Sequence, residues 1–156
     1  MIFDENYIDF ITLLNKHEVK YVLVGGLAVV MHGHFRTTKD MDIFYEGTSE
    51  NAQKLLDVIN EFGFRYLKIT LEDLMDVNGY VKLGNNPVRI DLFCDLPGVN
   101  FNEVYSAAFD YKEEDVNVKV IHVNHLIANK QLVGRLQDLD DVKKLKKILD
   151  IKRKKK

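Results

Sequence analysis

The sequence has one cysteine and two prolines in 156 residues, and both scarcities exclude a class of protein. The single cysteine, Cys94, cannot form an intramolecular disulfide, so the chain is not a disulfide-stapled secreted domain. Its apolar neighbours predict a buried, unreactive thiol. The two prolines, Pro87 and Pro97, are too few to mark a linker, and we find no repeat.

Long apolar segments are also absent. The longest run, residues 21–31, contains two glycines and is well short of the roughly 20 residues that cross a bilayer. The first ten residues carry acidic side chains and no basic one, which is unlike a secretory signal. We therefore expect a cytoplasmic protein with no membrane partner.

The charge is unevenly distributed. The net charge is −2, yet residues 152–156 are all basic, so the remainder is strongly acidic. An acidic body argues against a broad electrostatic surface for duplex nucleic acid, while the basic end leaves a local phosphate contact open. With 46% apolar residues, the composition is that of one globular domain. We predict a single domain over residues 1–151 and a basic disordered tail over 152–156.

Apolar periodicity and turn residues alternate along the chain between helical and extended patterns. The predicted strands are 21–24, 41–45, 116–123 and a hairpin formed by 80–83 and 88–93. The predicted helices are 4–17, 27–32, 48–63, 124–133 and 136–151. This order predicts an α+β fold with a small mixed β-sheet packed by helices and with C-terminal helices.

Two motifs suggest chemistry, although each is weak alone. Gly25 and Gly26 lie between a strand and a helix, where glycines let the backbone approach an anion. An ordinary tight turn explains them equally well. Asp40 and Asp42 stand two residues apart at the start of a strand, so their carboxylates share one face. A solvated edge strand with two harmless acids is the alternative.

A third acid, Asp91, lies inside an apolar strand segment, where a carboxylate must be paired, hydrogen-bonded or bound to a metal. A salt bridge to a basic residue on an adjacent strand is one solution. If its strand instead neighbours that of Asp40 and Asp42, the three acids cluster and require cations. Two Mg²⁺ ions about 4 Å apart would suit them and would serve phosphoryl or nucleotidyl transfer.

Taken in order, these residues resemble the nucleotidyltransferase superfamily with the DNA polymerase β-like fold. The nearest resemblance is to its small prokaryotic branch, the AbiE-type toxins and minimal nucleotidyltransferases. The resemblance implies that the catalytic and metal-binding residues are Asp40, Asp42 and Asp91. It implies that the nucleotide-binding residues are Gly25, Gly26, Arg36, Thr38, Lys130, Arg135 and Asp138.

The resemblance further implies a Mg²⁺-dependent transfer of a nucleoside monophosphate from a nucleoside triphosphate, with pyrophosphate leaving. The acceptor hydroxyl would belong to a tRNA or other RNA end, a protein side chain or a small molecule. A toxin–antitoxin partner or a second copy of the chain would be its protein partner. Because Gly26 stands where many active members have serine, a catalytically degenerate nucleotide- or protein-binding member is the alternative. A structural domain with three coincidental acids is a third hypothesis.

Overall fold

The structure, a computed structural model, describes residues 3–155. Within them the chain forms six strands and seven helices. The strands are β1 (Tyr21–Val24), β2 (Met41–Tyr45), β3 (Val81–Asn85), β4 (Val88–Phe93), β5 (Phe109–Glu113) and β6 (Val116–Val120). The helices are α1 (Glu5–Lys16), α2 (Gly25–Met31), α3 (Ser49–Ile59), α4 (Leu71–Met75), α5 (Phe101–Ala107), α6 (Val123–Val133) and α7 (Leu136–Lys154).

All six strands belong to one mixed sheet in the order β3-β4-β2-β1-β6-β5. The hairpins β3–β4 and β5–β6 are antiparallel, whereas β2 pairs with β4 and β1 pairs with β6 in parallel. The predicted α+β fold and the predicted hairpin are therefore confirmed. The decisive pairing is that of β2 with β4, because its register sets Asp42 directly opposite Asp91.

The core forms where the apolar patterns predict it. All four residues of β1 are buried, and most of β2 is buried with them. Helix α1 begins where the Asp4 side chain accepts a hydrogen bond from the Asn6 backbone N–H, as predicted from its N-cap position. Helix α6 ends at Gly134, whose positive φ of 69° closes the helix in the left-handed conformation.

Several boundaries differ from the predictions. Gly25 and Gly26 form the first turn of α2 rather than a turn before it. Strand β6 stops at Val120 because the His122 imidazole accepts from the Asn124 backbone N–H and starts α6. Helix α7 continues to Lys154, past the boundary predicted at 151, because basic residues in a last turn complement the helix dipole.

Two smaller findings complete the fold. Cys94 is half-buried rather than buried, and its thiol donates to the Asp76 carbonyl oxygen at 3.5 Å in an exposed part of the surface. Across residues 3–155, no helix combines the length and the apolar character that crossing a membrane requires.

Candidate active site

The three predicted acids lie together at one end of β2 and β4. Asp40 directly precedes β2, Asp42 is its second residue, and Asp91 lies on β4 opposite Asp42. One carboxylate oxygen from each residue can be chosen so that all three lie within 4.8 Å of one another. We call these residues the acid cluster. Parallel pairing of two strands thus joins residues that are about fifty positions apart in the sequence.

The acid cluster is electrostatically strained. Burial raises the pKa of Asp42 to about 7, and the neighbouring Asp40 and Asp91 carboxylates add to the shift. Lys130 and Arg89 counteract only part of it. Burial and the Asp91 charge likewise raise the pKa of Asp40 above its ordinary value. A divalent cation would relieve this repulsion, and Mg²⁺ binds carboxylate oxygens together with water and phosphate oxygens.

Arg89 supplies the cation nearest to the cluster. Its Nε and Nη2 each donate to an Asp91 carboxylate oxygen at 2.8 Å, and Nη2 lies 3.9 Å from Asp40 Oδ2. A salt bridge to Asp91 was the open alternative, and it exists, although it comes from the same strand rather than an adjacent one. The ion pair and the acid cluster therefore coexist.

The two glycines of α2 leave space for neighbouring side chains. Gly25 has a φ of +68°, and a Cβ there would collide with the Asp42 carboxylate. A Cβ at Gly26 would lie 2.7 Å from Thr38 Oγ1 and 3.1 Å from Arg36 Nη2. Gly25 thus makes room for the acid cluster, and Gly26 makes room for Thr38 and Arg36.

Opposite the acid cluster, cations and buried carboxylates alternate in a series that we call the ion-pair chain. Its members in order are Arg36, Asp141, Lys130, Asp138 and Arg135. Asp141 accepts from Arg36 Nε at 2.8 Å, and it lies 2.9 Å from Lys130 Nζ. Asp138 accepts from Lys130 Nζ at 3.1 Å and from Arg135 Nε at 2.7 Å. The ion-pair chain ties the segment before β2 to helices α6 and α7.

The two carboxylates of the ion-pair chain are buried and charged. Burial acts to raise the pKa of Asp141, but hydrogen bonds from Arg36 and Lys130 outweigh it and hold the pKa below its ordinary value. The pKa of Asp138 is lowered in the same way by Arg135 and Lys130, against the effect of burial. These carboxylates remain ionised at neutral pH and keep the cations in place.

All ten predicted site residues line a single cavity of about 780 Å³, with the acid cluster and four of the five members of the ion-pair chain, all except Asp141, on its walls. Tyr80, Arg89, Phe93 and Gln137 also line it and were not predicted from the sequence. Arg89 could have been found, because it shares a strand face with Asp91. Asp141, also missed, shares a helix face with Asp138 three residues earlier.

A second group of potential metal ligands, His34, Asp140 and Asp141, also lies within 4.8 Å. Asp141 is fully buried and is paired with both Arg36 and Lys130, which balance the negative charge of this group. In the acid cluster a single cation, Arg89, accompanies three carboxylates, so among the described residues the acid cluster is the stronger candidate for a metal site.

Comparison of the sequence with protein families agrees with this geometry. Residues 4–155 match the family described as nucleotidyl transferase of unknown function (DUF2204). The chain belongs to this family. Membership confirms the superfamily and the enzyme class predicted from the sequence, whereas the narrower AbiE-type branch stays a prediction. No curated protein matches the chain.

Solved structures share the fold of this nucleotidyltransferase. The lincosamide antibiotic adenylyltransferase LnuA with lincomycin bound has a TM-score of 0.57 and 15% identity, covering 94% of this chain and 98% of its own. A protein from Thermotoga maritima described as a nucleotidyltransferase has a TM-score of 0.54 and 13% identity, covering 90% and 88%. An antigenic nucleotidyltransferase-like protein from Paracoccidioides brasiliensis has a TM-score of 0.58 and 13% identity, covering 94% and 75%.

Proposed function

We propose that this protein is a Mg²⁺-dependent nucleotidyltransferase that moves a nucleoside monophosphate from a nucleoside triphosphate to a hydroxyl group. The observation that carries the proposal is the single cavity in which the acid cluster faces the ion-pair chain. One wall offers oxygen donors for cations, and the other offers cations for phosphate. Family membership in the nucleotidyl transferases supports the same reaction class.

Asp40, Asp42 and Asp91 would hold the metal, since their carboxylate oxygens converge and their mutual repulsion favours a bound cation. When bound, two Mg²⁺ ions neutralise charge that develops on the reacting phosphate and on the departing oxygen. Asp91 would accept the proton of the attacking hydroxyl. Its ion pair with Arg89 holds the carboxylate in a fixed orientation for that role.

The triphosphate would lie along the other wall. Lys130 and Arg36 would neutralise its negative charge, and Arg135 would contribute from the rim, where most of its side chain is exposed. Gly25, Gly26 and Thr38 would let the phosphates approach the start of α2 closely. Asp138 would act through Lys130 and Arg135, to which its oxygens are bonded. Catalysis would rest on positioning and charge neutralisation, with pyrophosphate leaving.

The acceptor would enter beside Asp91, where Tyr80 and Phe93 line the cavity. An RNA end, a protein side chain and a small molecule all remain acceptors under this proposal. The LnuA neighbour is an adenylyltransferase with lincomycin bound, which supports including a small molecule among them. The AbiE-type branch and a toxin–antitoxin role are also proposals of this kind, derived from the sequence resemblance.

The test incubates the protein with Mg²⁺ and each α-labelled nucleoside triphosphate in turn, together with total RNA, cell protein and a small-molecule extract. We expect label in one of the three fractions, and its identity gives the base and the acceptor class. Asp42→Ala should abolish the label, whereas the matched control Asp57→Asn, on the exposed surface of α3, should retain it. Equal labelling by wild type and Asp42→Ala would contradict the proposal, as would triphosphate binding without label.

A further inference from the structure

We propose that Asp141 is the positioning residue of the triphosphate site, because it fixes Arg36 and Lys130 in one arrangement against Gly26. This inference rests on the proposed function and adds a residue that neither the sequence motifs nor the family resemblance indicates. Asp141 is fully buried and is not among the described residues that line the cavity. It therefore acts through its partners rather than by contact with the substrate.

The contacts of Asp141 join three parts of the fold. Its Oδ1 accepts from Arg36 Nε at 2.8 Å and from Gln137 Nε2 at 3.2 Å. Its Oδ2 accepts from Arg36 Nη2 at 2.9 Å and lies 2.9 Å from Lys130 Nζ. The carboxylate thus holds Arg36 in a two-pronged geometry that fixes the plane of the guanidinium, and it sets the Lys130 ammonium beside it.

Both cations keep donor capacity for a ligand. Arg36 donates one N–H from Nε and one from Nη2 to Asp141, and one from Nη1 to the Thr37 carbonyl. Each terminal nitrogen therefore retains one N–H. The ammonium of Lys130 contacts Asp138 and Asp141 and retains one of its three N–H groups. Since both residues line the cavity, these donors suit the oxygens of an extended anion such as triphosphate.

The same arrangement requires glycine at position 26. A Cβ there would meet Thr38 Oγ1 at 2.7 Å and Arg36 Nη2 at 3.1 Å, so both side chains occupy the space above Gly26. The Thr38 hydroxyl also donates to the Asp40 carbonyl at 3.3 Å, which links this wall to the acid cluster. Asp141 therefore fixes the Arg36 guanidinium, and the Asp40 carbonyl holds the Thr38 hydroxyl, where a side chain at position 26 would otherwise stand.

The direction in which anion affinity changes when Asp141 is neutralised distinguishes a positioning role from a purely electrostatic one. If Asp141 only added negative charge near the anion, neutralising it would tighten anion binding. If it positions Arg36 and Lys130, neutralising it releases both cations, and anion binding weakens. Inorganic tripolyphosphate is the probe of choice because it lacks a base, so the result does not depend on which nucleotide the protein uses.

The experiment measures tripolyphosphate affinity by calorimetry in Mg²⁺ buffer for wild type, Asp141→Asn and the matched control Asp140→Asn, an exposed neighbour on α7. We expect Asp141→Asn to bind roughly ten- to a hundred-fold more weakly, as for the loss of hydrogen bonds to charged groups, and the control to bind as wild type does. Mn²⁺ affinity, measured by electron paramagnetic resonance, should be unchanged in Asp141→Asn, because the acid cluster stays intact.

Unchanged or tighter tripolyphosphate binding by Asp141→Asn would overturn the inference while leaving the proposed function standing. Parallel loss of Mn²⁺ binding would also overturn it, since that indicates general damage to the fold. Absence of tripolyphosphate binding by wild type would overturn the inference together with the triphosphate site that it refines.

A second set of variants avoids the buried charge. Gly26→Ser and Thr38→Ala should each weaken tripolyphosphate binding, the first by collision and the second by loss of the hydroxyl. The double variant moves the hydroxyl from position 38 to position 26 and removes the closest contact of the added Cβ, the one with Thr38 Oγ1. The double variant should therefore bind tripolyphosphate more tightly than the summed losses of the two single variants predict. Additive losses would show that Thr38 does not hold the space above Gly26, and the inference would fail.

Discussion

The charged form of the Asp42 carboxylate is disfavoured by its position, because it is half-buried and lies near the Asp40 and Asp91 carboxylates. The fold nevertheless reserves space for it, since Gly25 has no side chain to occupy that position. Residues held in an unfavourable ionisation environment inside a cavity are characteristic of functional sites. The repulsion among these carboxylates destabilises the metal-free protein. A bound cation relieves that repulsion, and the relief contributes to the affinity of the acid cluster for cations.

The first prediction concerns Asp42→Asn. The substitution removes a negatively charged metal ligand, so activity should fall by at least about 10²-fold. It also removes the repulsion with Asp40 and Asp91, so the metal-free protein should melt at a higher temperature. Labelled transfer and thermal melting in EDTA measure the two effects. Asp57→Asn, an exposed carboxylate on α3, is the control and should change neither. A less stable Asp42→Asn protein would contradict the account of a strained cluster.

The second prediction is a pH dependence of stability. The pKa of Asp42 is about 7 in the folded protein and 3.8 in its ordinary state, so between these values the folded protein binds more protons than the unfolded chain. Its contribution to the free energy of unfolding therefore falls as pH rises from about 4 to 7 and stays low above. The raised pKa of Asp40 has the same sign.

Melting in EDTA from pH 5 to pH 8.5 checks this dependence. The stability advantage of Asp42→Asn over wild type should be smaller at pH 5 than at pH 7 and should be largest at pH 8.5. Asp138 and Asp141 do not interfere, because their pKa values are lowered and their stabilisation is lost only at more acidic pH. Parallel pH profiles of the two proteins would contradict the prediction.

The same residues show what a sequence can and cannot reveal. Asp40, Asp42 and Asp91 were predictable because acids on one strand face, or inside an apolar strand, need a reason to be there. Asp141 was missed, although it shares a helix face with Asp138, because it lies in a helix crowded with charged residues that resembles a solvated surface. Only its pairing with Arg36, 105 positions away, makes it a buried charge.

At the scale of secondary-structure elements, the third prediction concerns the junction of β1 and α2. Gly25→Ala should destabilise the protein in two ways, through its positive φ and through collision with the Asp42 carboxylate. Gly134→Ala is the matched control, because Gly134 has a φ of +69° and the nearest atom to an added Cβ lies 3.6 Å away, an ordinary contact distance.

Urea unfolding distinguishes the two costs. The backbone cost alone should lower the free energy of unfolding of Gly134→Ala by about 1–2 kcal/mol. Gly25→Ala should lose roughly a further 1–3 kcal/mol from the collision, together with its activity. Equal losses would show that Asp42 moves aside without penalty and that the close approach has no structural role.

The fourth prediction concerns the junction of α6 and α7, where Lys130 and Arg135 share the partner Asp138. The Lys130 side chain is 6% exposed and that of Arg135 is 76% exposed. Lys130→Met should cost about 3–5 kcal/mol of unfolding free energy, because it leaves buried charge under-compensated. Arg135→Ala should cost at most about 1 kcal/mol, as an exposed ion pair does. Denaturant midpoints compare the two variants, provided that the dependence of unfolding free energy on denaturant concentration is unchanged. Similar losses of stability in the two variants would contradict the prediction.

The strands and helices that could be predicted from the sequence are those with the clearest apolar pattern. Strands β1 and β2 were found because their residues are almost all apolar and buried. Strand β5 was missed because Phe109–Glu113 has three charged residues among five and no β-branched residue, as an edge strand tolerates. Helices α4 and α5 were missed because each has too few turns to show a 3.6-residue period.

At the scale of the whole molecule, the sheet order determines the site. Strand β4 crosses over to pair with β2, and helices α6 and α7 return to the same end of the sheet, so residues from position 25 to position 138 line one cavity. A sequence shows the order of these residues but not their distance in space. Two walls of opposite charge result, and each should contribute separately to ligand binding.

The fifth prediction tests this separation. A nucleoside triphosphate with Mg²⁺ at 100 times its dissociation constant should add about 2.7 kcal/mol of stability. For a protein of this size that corresponds to a rise in melting temperature of roughly 5–11 °C.

EDTA should remove the part of this rise in melting temperature that depends on the acid cluster, and the Asp40→Ala/Asp42→Ala double variant should lose the same part. The part that remains in EDTA belongs to the ion-pair chain, so Lys130→Met should lower it while leaving Mn²⁺ binding to the acid cluster intact. If EDTA and Lys130→Met each abolished the whole rise, the two walls would bind as one inseparable unit, and the assignment of separate roles to them would be wrong.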